Sequence, residues 1–110
     1  MTALSGYRLM WMMVMFDLPV VLPEERKAAH DFRLALLDLG FEMSQWSVYV
    51  RFCTSPAQVE TLCCNVERAL PEGGKVNILQ FTDKQYERIV CFQGRHKLPP
   101  PETPDQFDLF

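Results

Sequence analysis

A chain of 110 residues, 48% hydrophobic and 23% charged, has enough material for one core and too little for two. Its formal net charge of −3 argues against strong autonomous binding of nucleic acid, because phosphate neutralisation supplies most of that affinity. Residues 1–97 carry 11 basic and 11 acidic side chains, whereas residues 98–110 add Glu102, Asp105 and Asp108 with no base, so a local basic patch stays open.

The first element in chain order is the apolar run Leu9–Phe16, which ends at a single acid, Asp17, within "WMMVMFDLPV". Arg8–Asp17 is predicted as a buried strand, short and continuously apolar in the manner of a strand covered on both faces. The run is too short to span a bilayer and lacks the layout of a secretory signal, so a cytoplasmic protein is expected. Asp17 at its tip has two readings. Before Leu18-Pro19 it is an ordinary turn residue whose carboxylate accepts from backbone amides two residues on. It is also a candidate functional carboxylate, since a buried strand has no structural need of one.

Pro23, Glu24 and Glu25 suit the first turn of a helix, and Ala29, Phe32, Leu36 and Leu39 form its apolar stripe up to Gly40. From Phe41 to Phe52 the period changes to two. Trp46, Val48, Val50 and Phe52 are expected inside, with Gln45, Ser47, Tyr49 and Arg51 on a polar face. The preceding "FEMS" is either a strand of its own or the bent start of the same one.

Ser55, Pro56 and Gln58 read as N-cap, first helical position and capping-box partner of a second helix carrying Val59, Leu62, Cys63, Val66 and Leu70. Residues 75–81 and 86–92 are predicted as two strands paired through a turn at 82–85. The order strand, helix, strand or strands, helix, strand, strand predicts an α+β sandwich, most simply a ferredoxin-like βαββαβ domain over residues 1–97 with an added C-terminal strand or tail. Residues 98–110 are proline-rich and acidic and are expected to be an extended tail. Its Phe107, Leu109 and Phe110 are candidate anchors for a groove on a partner protein. Cys53, Cys63, Cys64 and Cys91 contain no C-x-x-C pair and read as reduced, partly buried thiols rather than a zinc site.

The strand-end "MFDLP", the helix start "PEERK" and "LDLGFEMSQWSVYVRF", with "QWSVY" its most specific part, resemble the CRISPR-associated protein 2 family; "FTDKQYERIVCFQG" is similar to that family's last hairpin. The resemblance spans about residues 8–94. It implies a ferredoxin-like homodimer in which a segment after the core of each protomer adds to the partner's sheet. It implies a role in spacer acquisition, with the dimer bridging integrase subunits and binding double-stranded DNA. It also implies a magnesium-dependent nuclease on RNA or DNA, with Asp17 of two protomers as metal ligand and catalytic residue; a free-standing ribonuclease like the virulence-associated protein D toxins is the variant of that reading.

Two carboxylates from one residue are what a two-fold axis supplies, and Mg²⁺ is commonly held by one or two carboxylates plus waters. The resemblance further places Arg26 and Lys27 as backbone-phosphate contacts, and Arg51 is a candidate for the same task. Two departures bear on cleavage. Phe16 stands where nuclease-active relatives often carry a tyrosine, and Met43 where they often carry a base.

Overall fold

A computed structural model describes residues 9–102. The apolar run becomes β1 (Met10–Asp17), one of the two inner strands of a four-stranded antiparallel sheet ordered β2-β3-β1-β4, where β2 is Glu42–Gln45, β3 is Val48–Cys53 and β4 is Lys75–Thr82. Its side chains pack on both faces of the sheet, Met12, Val14 and Phe16 on one and Trp11 and Met13 on the other, which is why the run is apolar up to its tip. This is the strand order of the ferredoxin-like fold. The "FEMS" segment pairs as a strand of its own, and a two-residue turn, Trp46-Ser47, leads from it into β3.

Two helices cover one face: α1 (Pro23–Asp38) and α2 (Pro56–Arg68). Phe32 and Leu36 of α1 and Val59, Leu62 and Val66 of α2 are buried in one core with Met12, Val14 and Phe16 of β1, and Ala29 of α1 is buried as well. Burying each of these larger side chains contributes about 1.5–3 kcal/mol before entropy is counted. Gly40 ends α1 at φ +88°, with Phe41 N donating to Leu36 O and Gly40 N to Leu37 O, the double bond of a Schellman cap. Ser55 caps α2 by accepting from Gln58 N at 3.1 Å, and Gln58 Oε1 accepts from Thr54 N at 2.9 Å. Leu70, expected on the stripe of α2, lies beyond the helix end and is exposed.

Two expectations are corrected. The first concerns which face of β3 the helices take. Tyr49 and Cys53 are buried beneath them and Arg51 lies between, whereas Val50 and Phe52 pack with Trp11 on the opposite face. Trp46 belongs to neither cluster and is 71% exposed. Alternation shows that a strand has two faces; when both are partly apolar, it does not show which one the helices take.

The second correction concerns residues 83–92. In place of a strand pairing with β4, the chain forms the short helix α3 (Asp83–Glu87). Thr82 Oγ1 accepts from Gln85 N at 3.1 Å and Gln85 Oε1 accepts from Thr82 N at 2.9 Å. "TDKQ" is thus a capping box, and two orphan amides satisfied at once outweigh the turn reading. The helix closes over Trp11, whose indole donates to Asp83 at 3.1 Å and stacks on Tyr86 with ring centroids 3.9 Å apart. Past it, Phe92–Gln93 (β5) and His96–Lys97 (β6) form a separate two-stranded ribbon. The proposed anchors Phe107, Leu109 and Phe110 lie outside the described residues.

Burial of Cys53 and Cys63 pushes both thiols up in pKa; Arg51 partly offsets this at Cys53, while Cys64 and Glu60 add to it at Cys63. Cys64 faces solvent. Titration of the native protein with a thiol-specific disulfide reagent at pH 7.5 is therefore expected to modify Cys64 in a fast phase. Cys53 should react only on unfolding, and fast loss of the Cys53 thiol in the native state would contradict its burial.

Candidate nucleic-acid interface

The site is built around the end of β1. Alternation sends Phe16 into the helix-covered core and Asp17 to the other face, where it is exposed. Two neighbouring segments hold this end in place. On one side, Phe16 N donates to Ser47 O at 3.1 Å, which ties the strand to the β2–β3 turn. Ser47 sits there at φ 63°, a left-handed conformation uncommon outside glycine.

On the other side Asp17 stands opposite Lys75, the first residue of β4. The approach to Lys75 runs through Gly74 at φ +87°, where an added Cβ would lie 2.7 Å from Asp17 O and 2.8 Å from a Leu18 methyl. These three segments enclose a shallow depression of about 200 Å³ lined by Met15, Asp17, Trp46, Ser47, Lys75 and Asn77. The motif "QWSVY" and the strand-end acid, 28 residues apart in sequence, thus form one site.

Above the turn, the Arg33 guanidinium of α1 lies 4.4 Å from the Trp46 ring centre and 5.8 Å from that of Phe16. Phe16 in turn packs edge-on to Phe32 and stacks on Tyr49, with centroids 5.2 and 5.8 Å apart. The row Tyr49, Phe16, Arg33, Trp46 therefore runs from the core to the rim of the depression.

The other basic candidates lie elsewhere. Arg26 Nη1 donates to Val21 O at 2.8 Å and holds the loop before α1, and Lys27 pairs with Asp31 at 2.9 Å one turn along the helix. The start of α1 faces a separate hollow of about 410 Å³ that includes Glu24, Glu25 and Glu72, an acidic setting. Arg51 turns inward, its Nε donating to Leu39 O at 2.8 Å and its Nη1 to Phe52 O at 2.7 Å. None of the three lines the depression at Asp17. The cation brought there is Lys75, which the sequence offers only as one of five bases in residues 71–97. Lys75 could have been found from the glycine pair before it, because Gly73-Gly74 is the device that lets a backbone pass close to another strand end.

Among the described residues no group of three or more His, Cys, Asp or Glu side chains is arranged to hold a metal ion. Asp17 of one chain offers one carboxylate with open access for water. That fits half of a magnesium site of the usual kind, in which one or two carboxylates act with several waters.

Fold and site together define a ferredoxin-like domain that presents a strand-end carboxylate beside a lysine, on a rim with an exposed tryptophan. The family profile described as CRISPR associated protein Cas2 matches residues 10–89, and the chain belongs to that family. It is 70% identical over 107 residues to a protein of Paracidovorax avenae named CRISPR-associated endoribonuclease Cas2, covering 97% of this chain and 99% of that one. A relative of the same name from Flavobacterium psychrophilum is 41% identical over 109 residues, covering 99% and 95% of the two chains. A solved structure titled "Crystal structure of cas2" superposes with a TM-score of 0.55 at 22% identity, covering 87% of this chain and 98% of the other, and supports the fold. Among the described residues no helix is long and apolar enough to cross a membrane.

Proposed function

We propose that this chain is a cytoplasmic subunit of CRISPR spacer acquisition, a homodimer that binds duplex DNA along its backbone and bridges integrase subunits. The observation that carries this reading is the position of Asp17 and Lys75 at the open end of a sheet whose face opposite α1 and α2 is largely apolar. Beyond the patch under α3, that face ends in Met15, 38% exposed and one residue short of Asp17 in the alternation. A two-fold contact on this face would cover apolar surface and bring a second Asp17 and Lys75 to the first. β4 is one of the two outer strands of the sheet, and Val90, Phe92 and Leu98 in the segment that follows are exposed. An outer strand edge and an exposed apolar segment in one chain suit exchange of that segment between two copies.

In this reading DNA is held through phosphates without regard to sequence, with Lys75 nearest the axis and Arg26 and Lys27 further out. The acidic tail with Phe107, Leu109 and Phe110 is assigned to the integrase subunit, its acids meeting a basic surface.

A second reading is favoured by the name its relatives carry, endoribonuclease. Here paired Asp17 would hold magnesium, and the ion when bound would offset charge on a phosphodiester and make bound water more acidic. What the chain's own residues do is the same in both readings: Asp17 presents oxygen ligands, and Lys75 attracts the phosphate.

Asp17→Ala separates them. A platform is expected to bind duplex DNA within about twofold of the parent and to show no cleavage that the substitution removes. A nuclease is expected to lose magnesium-dependent cleavage by about 100-fold or more, the scale of a positioned catalytic group. Cleavage of single-stranded RNA or duplex DNA by purified protein, with and without magnesium, is the measurement, and loss of cleavage in the variant would displace the platform reading.

A further inference from the structure

We propose that Trp46 is a stacking platform for one unpaired base, so that the depression at Asp17 takes single-stranded nucleic acid, or the unpaired end of a duplex, as well as a paired backbone. The proposal rests on the reading of this site as a phosphate-binding one and adds to it a residue that selects by strandedness.

Trp46 is 71% exposed in a chain whose other tryptophan is buried under α3. An indole at a turn tip gains nothing for the fold by facing water, and its position is not loose. The turn is fixed on one side by the Phe16–Ser47 bond and on the other by the register of Gln45 against Val48. Arg33 lies over the ring at 4.4 Å, and its Nε is buried without a hydrogen-bond partner among the described residues. A buried guanidinium nitrogen left unpaired is a cost, and it is offset here by the cation–π contacts to Trp46 and Phe16. Arg33 is thus a positioning residue: it holds the indole plane and adds positive charge behind it.

Trp46 borders the depression that also holds Asp17 and Lys75. An aromatic face next to a cation is how proteins hold single strands, because every base has a π-face and every nucleotide a phosphate. A base inside a duplex is already stacked on both sides and has no face to offer. The element therefore discriminates by strandedness and not by sequence. Single-stranded DNA and single-stranded RNA carry the same chemistry, an unpaired base with its phosphate.

The test uses the full chain, with affinities read from the fluorescence anisotropy of 5′-fluorescein-labelled oligonucleotides and quenching of the intrinsic emission as a second readout in the parent. Oligo(dT) and oligo(U) 12-mers and a blunt 24-base-pair duplex are titrated into the parent, Trp46→Leu, Trp46→Phe and Arg33→Met, with thermal melting of each variant as the control for folding. Both 12-mers are expected to quench the emission of the parent. In Trp46→Leu their affinity should fall by about 5- to 100-fold, the effect of one stacked base. Trp46→Phe should restore part of it, and Arg33→Met should show a smaller loss. Duplex affinity should stay within about twofold throughout. Quenching by only one of the two 12-mers would identify which strand the site takes.

The proposal is overturned if Trp46→Leu binds the 12-mers as well as the parent, or if duplex binding falls equally. It is also overturned if acrylamide fails to quench the free protein, since a second copy would then cover the ring. A parent that binds the duplex with Trp46 uninvolved leaves the platform reading intact, whereas a parent that binds no nucleic acid removes both.

Discussion

Gly74→Ala is expected to destabilise the protein by about 2–4 kcal/mol and to disturb the site at the same time. Two costs combine. Alanine at φ +87° carries the left-handed penalty, and its methyl would lie 2.7 Å from the carbonyl oxygen of Asp17, a backbone atom that cannot swing aside. Relief requires the start of β4 to move away from the end of β1, and that start is Lys75. The substitution should therefore lower the melting temperature by roughly 10 °C or more for a domain of this size. It should also weaken duplex binding in the fraction that remains folded. Gly73→Ala is the control, since its methyl would meet only a Pro19 carbon at 3.6 Å, an ordinary contact. Equal melting temperatures for the two variants would show that the close approach of β4 to Asp17 does not constrain the fold.

Arg51→Met is expected to cost about 2–4 kcal/mol and to leave nucleic-acid binding unchanged at a temperature where the variant is folded. The guanidinium joins the end of α1, through Leu39 O, to the end of β3, through Phe52 O. Methionine keeps most of the apolar stem but leaves both carbonyls without that donor. Gly40 is part of the same arrangement, because a Cβ there would lie 2.9 Å from Arg51 Nε. Urea unfolding gives the stability, and titration with a 24-base-pair duplex gives the binding. A folded Arg51→Met protein that binds duplex tenfold more weakly would return Arg51 to the interface.

The two substitutions mark how far the sequence can be read. Gly40 as helix terminator, Ser55-Pro56-Gln58 as helix start and the apolar stripes of α1 and α2 were legible because each is a local device. Its partners lie within four residues, so spacing alone reports it. "TDKQ" was equally local, yet it lay between two runs of strand-forming residues and was read as a hairpin turn. The capping box prevailed because α3 also covers Trp11, and that gain comes from a residue some seventy positions away.

Asp17 was legible as a candidate for the opposite reason: a carboxylate at the tip of a strand paired on both edges is out of keeping with its surroundings. Its neighbours were not. Lys75, Ser47 and Trp46 reach it through strand register, which depends on pairing across the whole sheet, and a shift of one residue would turn each to the other face. Arg51 shows the same limit. Position in an alternating pattern says that it shares a face with Tyr49, but not that this face lies under the helices.

By itself the sequence determined where α1 and α2 begin and where α1 ends, which run forms an inner strand, and that an acid closes it, because those features depend on neighbours along the chain. Only the tertiary structure decided which cation stands beside the acid, which arginine is spent on the fold and which tryptophan is left in water. Those outcomes depend on which strands pair and in what register, and packing across the sheet sets both.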